Sequence, residues 1–166
     1  MILCGISIHN VFELARLIFS VCFGTNKFLM LSLRVSENQV FNLSLEAASL
    51  CPPLQKAPAG AEILFSGASE ACVRRLVEYL EFYKTGDIAP SQFQRPLVSS
   101  DLAESGGTLF DCAFAESLTH DEVQELLKVA ERLEVTSLVE LMAACVARTL
   151  RMWKASGTLR MEAGFQ

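Results

Sequence analysis

The chain has 166 residues, a hydrophobic share of 51%, a charged share of 20% and a net charge of −5 at pH 7. This length is enough for one domain with its own apolar core, and the composition excludes a disordered chain. The acidic balance and the lack of a basic cluster exclude a nucleic-acid-binding protein. Arg148, Arg151, Lys154 and Arg160 gather late in the chain. We interpret them as cations favoured near helix C-termini, with a phosphate-binding patch as the alternative.

Six cysteines are spread along the chain without a Cys-x-x-Cys motif or a Cys/His zinc spacing. We therefore predict neither a metal site nor a cofactor. An even number of cysteines does not by itself indicate disulfides in a chain of this size. A reducing compartment, the cytoplasm or the nucleus, is the expected location.

Residues 1–29 are apolar, but His9, Asn10, Glu13 and Arg16 interrupt them. The longest uncharged run is too short to span a bilayer, and a signal peptide would need a basic start and a clean apolar centre. We expect no membrane association through a spanning helix. The segment is interpreted as an upstream extension absent from the mature protein, an amphipathic helix that docks on the domain or a membrane surface, or a targeting segment.

The next part of the chain has the pattern of a small sheet with helices. Apolar alternation on both sides of a short polar turn predicts a β-hairpin over residues 30–43. A serine then predicts the cap of a short helix over residues 45–50, which two prolines end. Residues 62–65 predict a third strand, and a helix is predicted from residue 69 to residue 83.

Residues 84–108 are rich in Gly, Pro and Ser and predict a long connector before the helical part. A small sheet followed by helices is an α+β pattern. We divide the chain into an apolar leader at 1–29, an α/β half at 30–86, a connector loop at 87–108 and a C-terminal helical region at 109–166.

Two helices are predicted between residues 119 and 151. Thr119 and Glu122 form a capping box at the start of the first helix. The second helix carries one apolar stripe, formed by Leu138, Leu141, Met142, Cys145 and Val146. Neighbouring apolar residues widen this stripe until little of the helix is polar. Such a helix must be buried on more than one side, and we expect a partner to supply part of that burial.

The chain offers few residues for catalysis. Asp121 and Glu122 are adjacent acids, but they lie in a first helical turn, where the helix dipole favours them. The two histidines, His9 and His120, provide little for a metal site or a catalytic triad, and the glycines form no phosphate-binding array. We predict that the protein is not an enzyme.

Four segments resemble, in the same order, the Skp adaptors, which are BTB/POZ-fold subunits of SCF cullin-RING ubiquitin ligases. The most informative reads Leu126-Leu-Lys-Val-Ala-Glu-Arg-Leu-Glu-Val-Thr-Ser-Leu-Val-Glu-Leu141. It is similar to the adaptor helix that ends in a Leu-Asp-Ile-like tripeptide and leads into Lys-Ser-Leu-Leu-Asp-Leu. Residues 73–83 resemble the Glu-Tyr-Leu-Glu helix, 95–102 the Pro-Leu-Lys-Ser-Thr-Asn-Leu connector, and 30–43 the opening hairpin. Because the adaptors begin where Met30 stands, the resemblance favours the upstream-extension interpretation of the leader.

The resemblance implies a BTB/POZ-like half followed by a C-terminal helical Skp dimerisation region. It implies a non-catalytic adaptor that links F-box substrate receptors to a cullin scaffold in ubiquitin-dependent protein degradation. By position, the F-box-binding residues would be Leu138, Leu141, Met142, Cys145, Val146, Trp153, Leu159, Arg160 and Phe165. The cullin-binding residues would be Glu131 and Arg132, which stand where the family usually has an Asn-Tyr pair.

These departures from the family pattern leave other hypotheses open. The charged pair at 131–132 is compatible with a Skp-fold structural subunit of another assembly that has lost cullin binding. Residues 155–160 lack the family's proline, and the sequence ends at Gln166, so the resemblance predicts an incomplete F-box clasp. An elongin-C-like protein is disfavoured by Pro96-Leu97 and by the continuation to Phe165. Without a partner, residues 30–166 are predicted to form a homodimer or to be poorly soluble, because exposed apolar faces associate.

Overall fold

The structure is a computed structural model that describes residues 30–37 and 39–155. The interpretation of residues 1–29 lies outside the described residues, and so do the predicted sites at Leu159, Arg160 and Phe165. Within the described part of the chain, no helix combines the length and apolar character needed to cross a membrane.

Three strands form one small sheet. They are β1 at Met30–Ser36, β2 at Gln39–Ser44 and β3 at Glu62–Leu64. β1 lies in the centre, antiparallel to β2 and parallel to β3. Alternate side chains of a strand point to opposite faces, and this alternation puts Leu31, Leu33 and Leu43 in the core. The predicted hairpin and third strand are confirmed.

The described residues form five helices. They are α1 at Leu45–Ala48, α2 at Glu70–Tyr83, α3 at Leu109–Glu116, α4 at His120–Arg132 and α5 at Thr136–Ala155. The side chains of Ser44, Ser69 and Thr119 each accept a backbone N–H three residues on, so the predicted caps are confirmed. Helix α1 ends at Ala48, before the predicted residue 50. Thr108 caps α3 in the same way, a start that the sequence reading did not single out.

The connector between α2 and α3 contains neither helix nor strand, as predicted, but side-chain hydrogen bonds fix its path. The buried carboxylate of Asp111 accepts hydrogen bonds from the backbone N–H of Ser91, at 3.0 Å, and from its hydroxyl. The Ser91 hydroxyl in turn accepts the Thr108 N–H at 2.7 Å. Gly106 has φ +100°, and a Cβ there would lie 2.4 Å from the Gln92 carbonyl oxygen, so only glycine fits.

Helices α4 and α5 form the hairpin that covers the rest of the core. A short turn joins them, in which Glu134 has the left-handed φ of 57°. α4 packs on α2 and on α5, and α3 packs on α5, while α2 lies on the sheet and on α1. One core therefore connects the small sheet to the helices, and the predicted α+β class is confirmed.

Candidate protein-interaction surface

One face of α5 belongs to the core of the chain. Leu138, Leu141 and Met142 are completely buried, and Cys145 is 2% exposed. These four residues were predicted to contact an F-box partner, which stays a prediction, and in this structure their side chains belong to the core of the chain. The packing of α5 against α4 and α3 encloses them, so no partner reaches their side chains in this structure.

A second apolar stripe on the same helix lies at the edge of the core, where Val139 and Val146 are half-buried, and is exposed at Ala143, Leu150 and Trp153. It consists of Val139, Ala143, Val146, Leu150 and Trp153, and we call it the α5 stripe. The alternating spacing of four and three residues places all five on one side of an α-helix. Leu150 is 45% exposed and Trp153 42%, so the stripe becomes more exposed toward its C-terminal end.

The sequence-based site therefore included only part of the outward stripe. Val146 and Trp153 were among the predicted residues, whereas Val139, Ala143 and Leu150 were not. Their spacing was visible in the sequence, but an equally regular stripe on the other face concealed it. Only the packing of α4 and α3 shows which of the two stripes is covered.

The end of α5 is positioned against the start of α4. The indole of Trp153 lies with its ring centroid 5.9 Å from that of His120. His120 Nε2 is 2.8 Å from the side-chain nitrogen of Gln124, one turn further along α4. An aromatic side chain that is held by neighbours and still 42% exposed loses little side-chain entropy when a partner covers it.

A groove runs along α5 beside the stripe. Its volume is about 460 Å³. We call it the alanine groove, because its floor is formed by Ala143, Ala144 and Ala147, and its wall by Phe93, Pro96 and Leu97 of the connector. Small side chains on the helix and a loop held beside it together create a concave apolar surface.

The predicted cullin-binding pair lies at the other end of α4. Glu131 and Arg132 are exposed in its last turn. The guanidinium of Arg132 donates to the carbonyl oxygen of Ser66 at 3.5 Å, so it reaches the segment before α2. α4 has 13 residues, which correspond to about 20 Å of helix between this pair and the His120–Trp153 contact.

A further exposed apolar patch occurs where α2 ends and α3 begins. The rings of Phe82 and Phe110 are stacked, with centroids 3.6 Å apart. Leu109 beside them is 91% exposed. The sequence reading did not identify these residues, because the patch depends on the connector that brings the two helices together.

Burial keeps the described thiols protonated at neutral pH. It raises the pKa of Cys51 and Cys72 to about 12 and that of Cys145 to about 11. Burial also raises the pKa of the Cys112 thiol. A protonated thiol is a poor nucleophile and a poor metal ligand. Among the residues that the structure describes, no three His, Cys, Asp or Glu side chains form a group that could hold a metal ion.

Comparison with known proteins yields a structural likeness but no match to a protein family. No protein-family model matches the chain, and no curated protein matches it. Among solved structures, the chain is similar to the BTB (Tramtrack and Bric a brac) domain of human gigaxonin, with 16% sequence identity and a TM-score of 0.44. The similarity covers 86% of this chain and 96% of that chain. These comparisons assign no family to the chain.

Proposed function

We propose that this protein is a non-catalytic Skp-like adaptor of the cytoplasm and nucleus, which links F-box substrate receptors to a cullin scaffold in ubiquitin-dependent degradation. The observation that carries the proposal is the α5 stripe, an apolar row on a helix whose opposite face already belongs to the core. The four sequence segments that resemble Skp adaptors support it, and so does the order of a small BTB/POZ-like sheet half before C-terminal helices.

The α5 stripe has the chemistry of a site for an amphipathic helix. Its residues span 15 positions from Val139 to Trp153, or about 21 Å, which matches about four turns of a partner helix. Leu150 and Trp153 supply the most exposed apolar surface at one end. In the proposal they are the anchors for an F-box helix, while Leu159, Arg160 and Phe165 stay predictions from the resemblance alone.

The geometry is compatible with two partners at once. Glu131 and Arg132 lie at one end of α4, and the Trp153 end of the stripe lies at the other. In the proposal, a cullin binds at the Glu131–Arg132 end while the F-box protein covers α5. An adaptor needs this separation, because partners that compete for the same surface cannot be linked.

The test is a native purification of the tagged full chain, with the co-purifying proteins identified by mass spectrometry. We expect both cullin and F-box proteins. Leu150→Glu places a charge in the stripe and should remove the F-box proteins while cullin is retained. Asp87→Lys, a charge change at an exposed position of the connector, is the control and should retain both. Recovery of no F-box protein by the unaltered chain would refute the proposal.

A second candidate function is a Skp-fold structural subunit of another assembly that has lost cullin binding. The charged pair Glu131–Arg132 favours it, because Arg132 contacts the Ser66 carbonyl of its own chain. If the cullin surface is inherited, the double change Glu131→Asn and Arg132→Tyr should tighten cullin binding in titration calorimetry. Unchanged cullin affinity would favour the structural-subunit function.

The exposed α5 stripe also predicts self-association of the chain. If no partner covers the α5 stripe, a second copy of the chain is the expected occupant, since exposed apolar patches favour association. Light scattering of the purified protein should then show a dimer that Leu150→Glu converts to a monomer. A stable monomer of the unaltered chain at high concentration would contradict this expectation.

A further inference from the structure

The alanine groove lies on a different side of α5 from the stripe. The two surfaces share only Ala143, because the groove continues through Glu140, Ala144, Ala147 and Arg151. A helix that covers the stripe therefore leaves most of the groove open. A ligand of the groove would therefore be distinct from the helix that covers the stripe.

Two polar contacts hold the wall of the groove in place. The guanidinium of Arg151 donates hydrogen bonds to the carbonyl oxygens of Leu97 and, at 3.1 Å, of Val98. Near the other end, Arg95 pairs with Glu140 at 3.1 Å. These contacts tie the connector to α5, so the apolar wall is formed before any ligand arrives. A preformed site binds without the entropic cost of ordering a loop.

A second, open cleft adjoins the alanine groove at Arg151, which lines both. Lys154 and Ser100 also line this cleft, so it is positively charged although the chain as a whole carries a net charge of −5. The ion pairs among the described residues include no carboxylate partner for Arg151 or Lys154. The positive charge of Lys154 can therefore pair with an acidic group of a ligand, and Arg151, which donates to the Leu97 and Val98 carbonyls, adds a positive charge that no carboxylate of these ion pairs neutralises.

The size of the groove indicates the shape of its ligand. Its volume is about 460 Å³. The groove has room for a few large side chains of a ligand. An extended chain that places side chains on the alanine floor fits these dimensions.

We propose that the alanine groove binds an extended segment of a protein partner, with a bulky apolar side chain on Ala143, Ala144 and Ala147 and acidic residues beside Arg151 and Lys154. The inference goes beyond the F-box-helix proposal, because it concerns a different surface and a different class of ligand. The acidic residues of the ligand complement the positive charges of Arg151 and Lys154. Its bulky apolar side chain packs on the alanine floor.

The test uses a display library of short random peptides selected on the full chain. We expect enriched peptides with a large apolar residue followed by Asp or Glu, and we expect a selected peptide to bind in fluorescence anisotropy. Ala147→Trp fills the groove and should weaken this binding about tenfold or more, corresponding to about 1.4 kcal/mol. Ala71→Trp, at an exposed position of α2, is the matched control and should leave the affinity unchanged.

A second variant tests the charge without filling the groove. Lys154→Glu should weaken binding of the acidic peptide and make it less salt-dependent, whereas Lys128→Glu should not. Both positions are exposed, so neither change should affect folding. No enrichment, enrichment of basic peptides, or equal affinity for the Ala147→Trp and unaltered chains would overturn the inference.

Different results would refute the F-box proposal for the α5 stripe and the peptide proposal for the alanine groove. Binding of an F-box domain, measured in parallel, should be lost in Leu150→Glu and kept in Lys154→Glu, while the peptide should show the opposite pattern. Peptide binding without F-box binding would refute the proposed function and support the groove. F-box binding without any peptide would refute the groove alone.

Discussion

The two apolar faces of α5 have similar side chains and different roles. Leu138, Leu141 and Met142 on one face are completely buried, whereas Leu150 and Trp153 on the other are nearly half exposed. Hydrophobicity along the helix does not separate them, because both rows repeat with helical spacing. The difference teaches that an apolar pattern identifies a face that must be covered, and that the position of neighbouring helices decides what covers it.

The largest expected difference between the two faces of α5 is in the stability of paired leucine variants. Leu141→Ala should lower the free energy of unfolding by about 2–5 kcal/mol, because it leaves a cavity in the core. Leu150→Ala removes the same atoms from a side chain that is 45% exposed and should cost less than about 1 kcal/mol. Urea denaturation measures both. Equal losses would mean that the two faces are not distinguished as the structure shows.

For partner binding we expect the opposite ranking, with the exposed face of α5 contributing more than the buried face. Trp153→Ala is expected to weaken binding of an F-box domain by about 2 kcal/mol in titration calorimetry, as truncation of an aromatic anchor does. Met152 is more exposed, at 57%, but lies off the stripe, so Met152→Ala should have little effect. A larger loss for Met152→Ala than for Trp153→Ala would place the binding face elsewhere on the helix.

A smaller loss of stability is expected from changes to the capping box of α4, the helix that packs against the buried face of α5. The Thr119 hydroxyl accepts the Glu122 N–H at 3.3 Å, and the Glu122 carboxylate accepts the Thr119 N–H at 2.7 Å. Thr119→Ala should lower stability by about 1 kcal/mol. Thr149→Ala removes only a bond from the hydroxyl to the Cys145 carbonyl inside α5, so it serves as the control. F-box binding should be unchanged in the Thr119 variant.

The smallest expected effect is the pH dependence of this capping box. The Thr119 backbone N–H, and to a lesser degree its hydroxyl, holds the pKa of Glu122 below its ordinary value of 4.5. Because the folded-state pKa is lowered, the ionised carboxylate stabilises the fold above the unfolded-state pKa, and this contribution is lost as the pH falls through the folded-state pKa. Glu122→Gln should therefore be less stable than the unaltered chain at neutral pH, with a difference that narrows on acidification.

Denaturation midpoints of the two proteins at neutral pH and at about pH 3 would check this. A stability difference that grows toward acidic pH would contradict the sign of the effect. His120→Gln, which introduces the same residue in the first turn of α4, is the matched control.

The sequence was sufficient where short-range chemistry decides the outcome. Ser44, Ser69 and Thr119 were predicted as helix starts and are N-caps in the structure. The hairpin and the third strand were also predicted correctly. Caps and alternating strands depend on residues a few positions apart, so a single sequence contains the information that defines them.

The sequence was insufficient where burial depends on distant segments. It assigned the stripe of Leu138 and Leu141 to a partner, and the core of the chain covers it. It treated the connector as a plain loop, although Ser91 and Asp111 pin it to α3, and Arg95 and Arg151 tie it to α5. The alanine groove arises from that attachment.

The sequence by itself determined most of the described elements, the caps at Ser44, Ser69 and Thr119, the α+β order and the apolar character of α5, because each depends on local spacing. Only the tertiary structure decided which face of α5 is core, which face is open and where the connector forms a groove. Those outcomes depend on contacts between residues far apart in the chain, such as Leu97 and Arg151, which are separated by 54 positions. The hydrophobic effect is non-directional, so the packing of neighbouring elements decides which apolar side chains are buried.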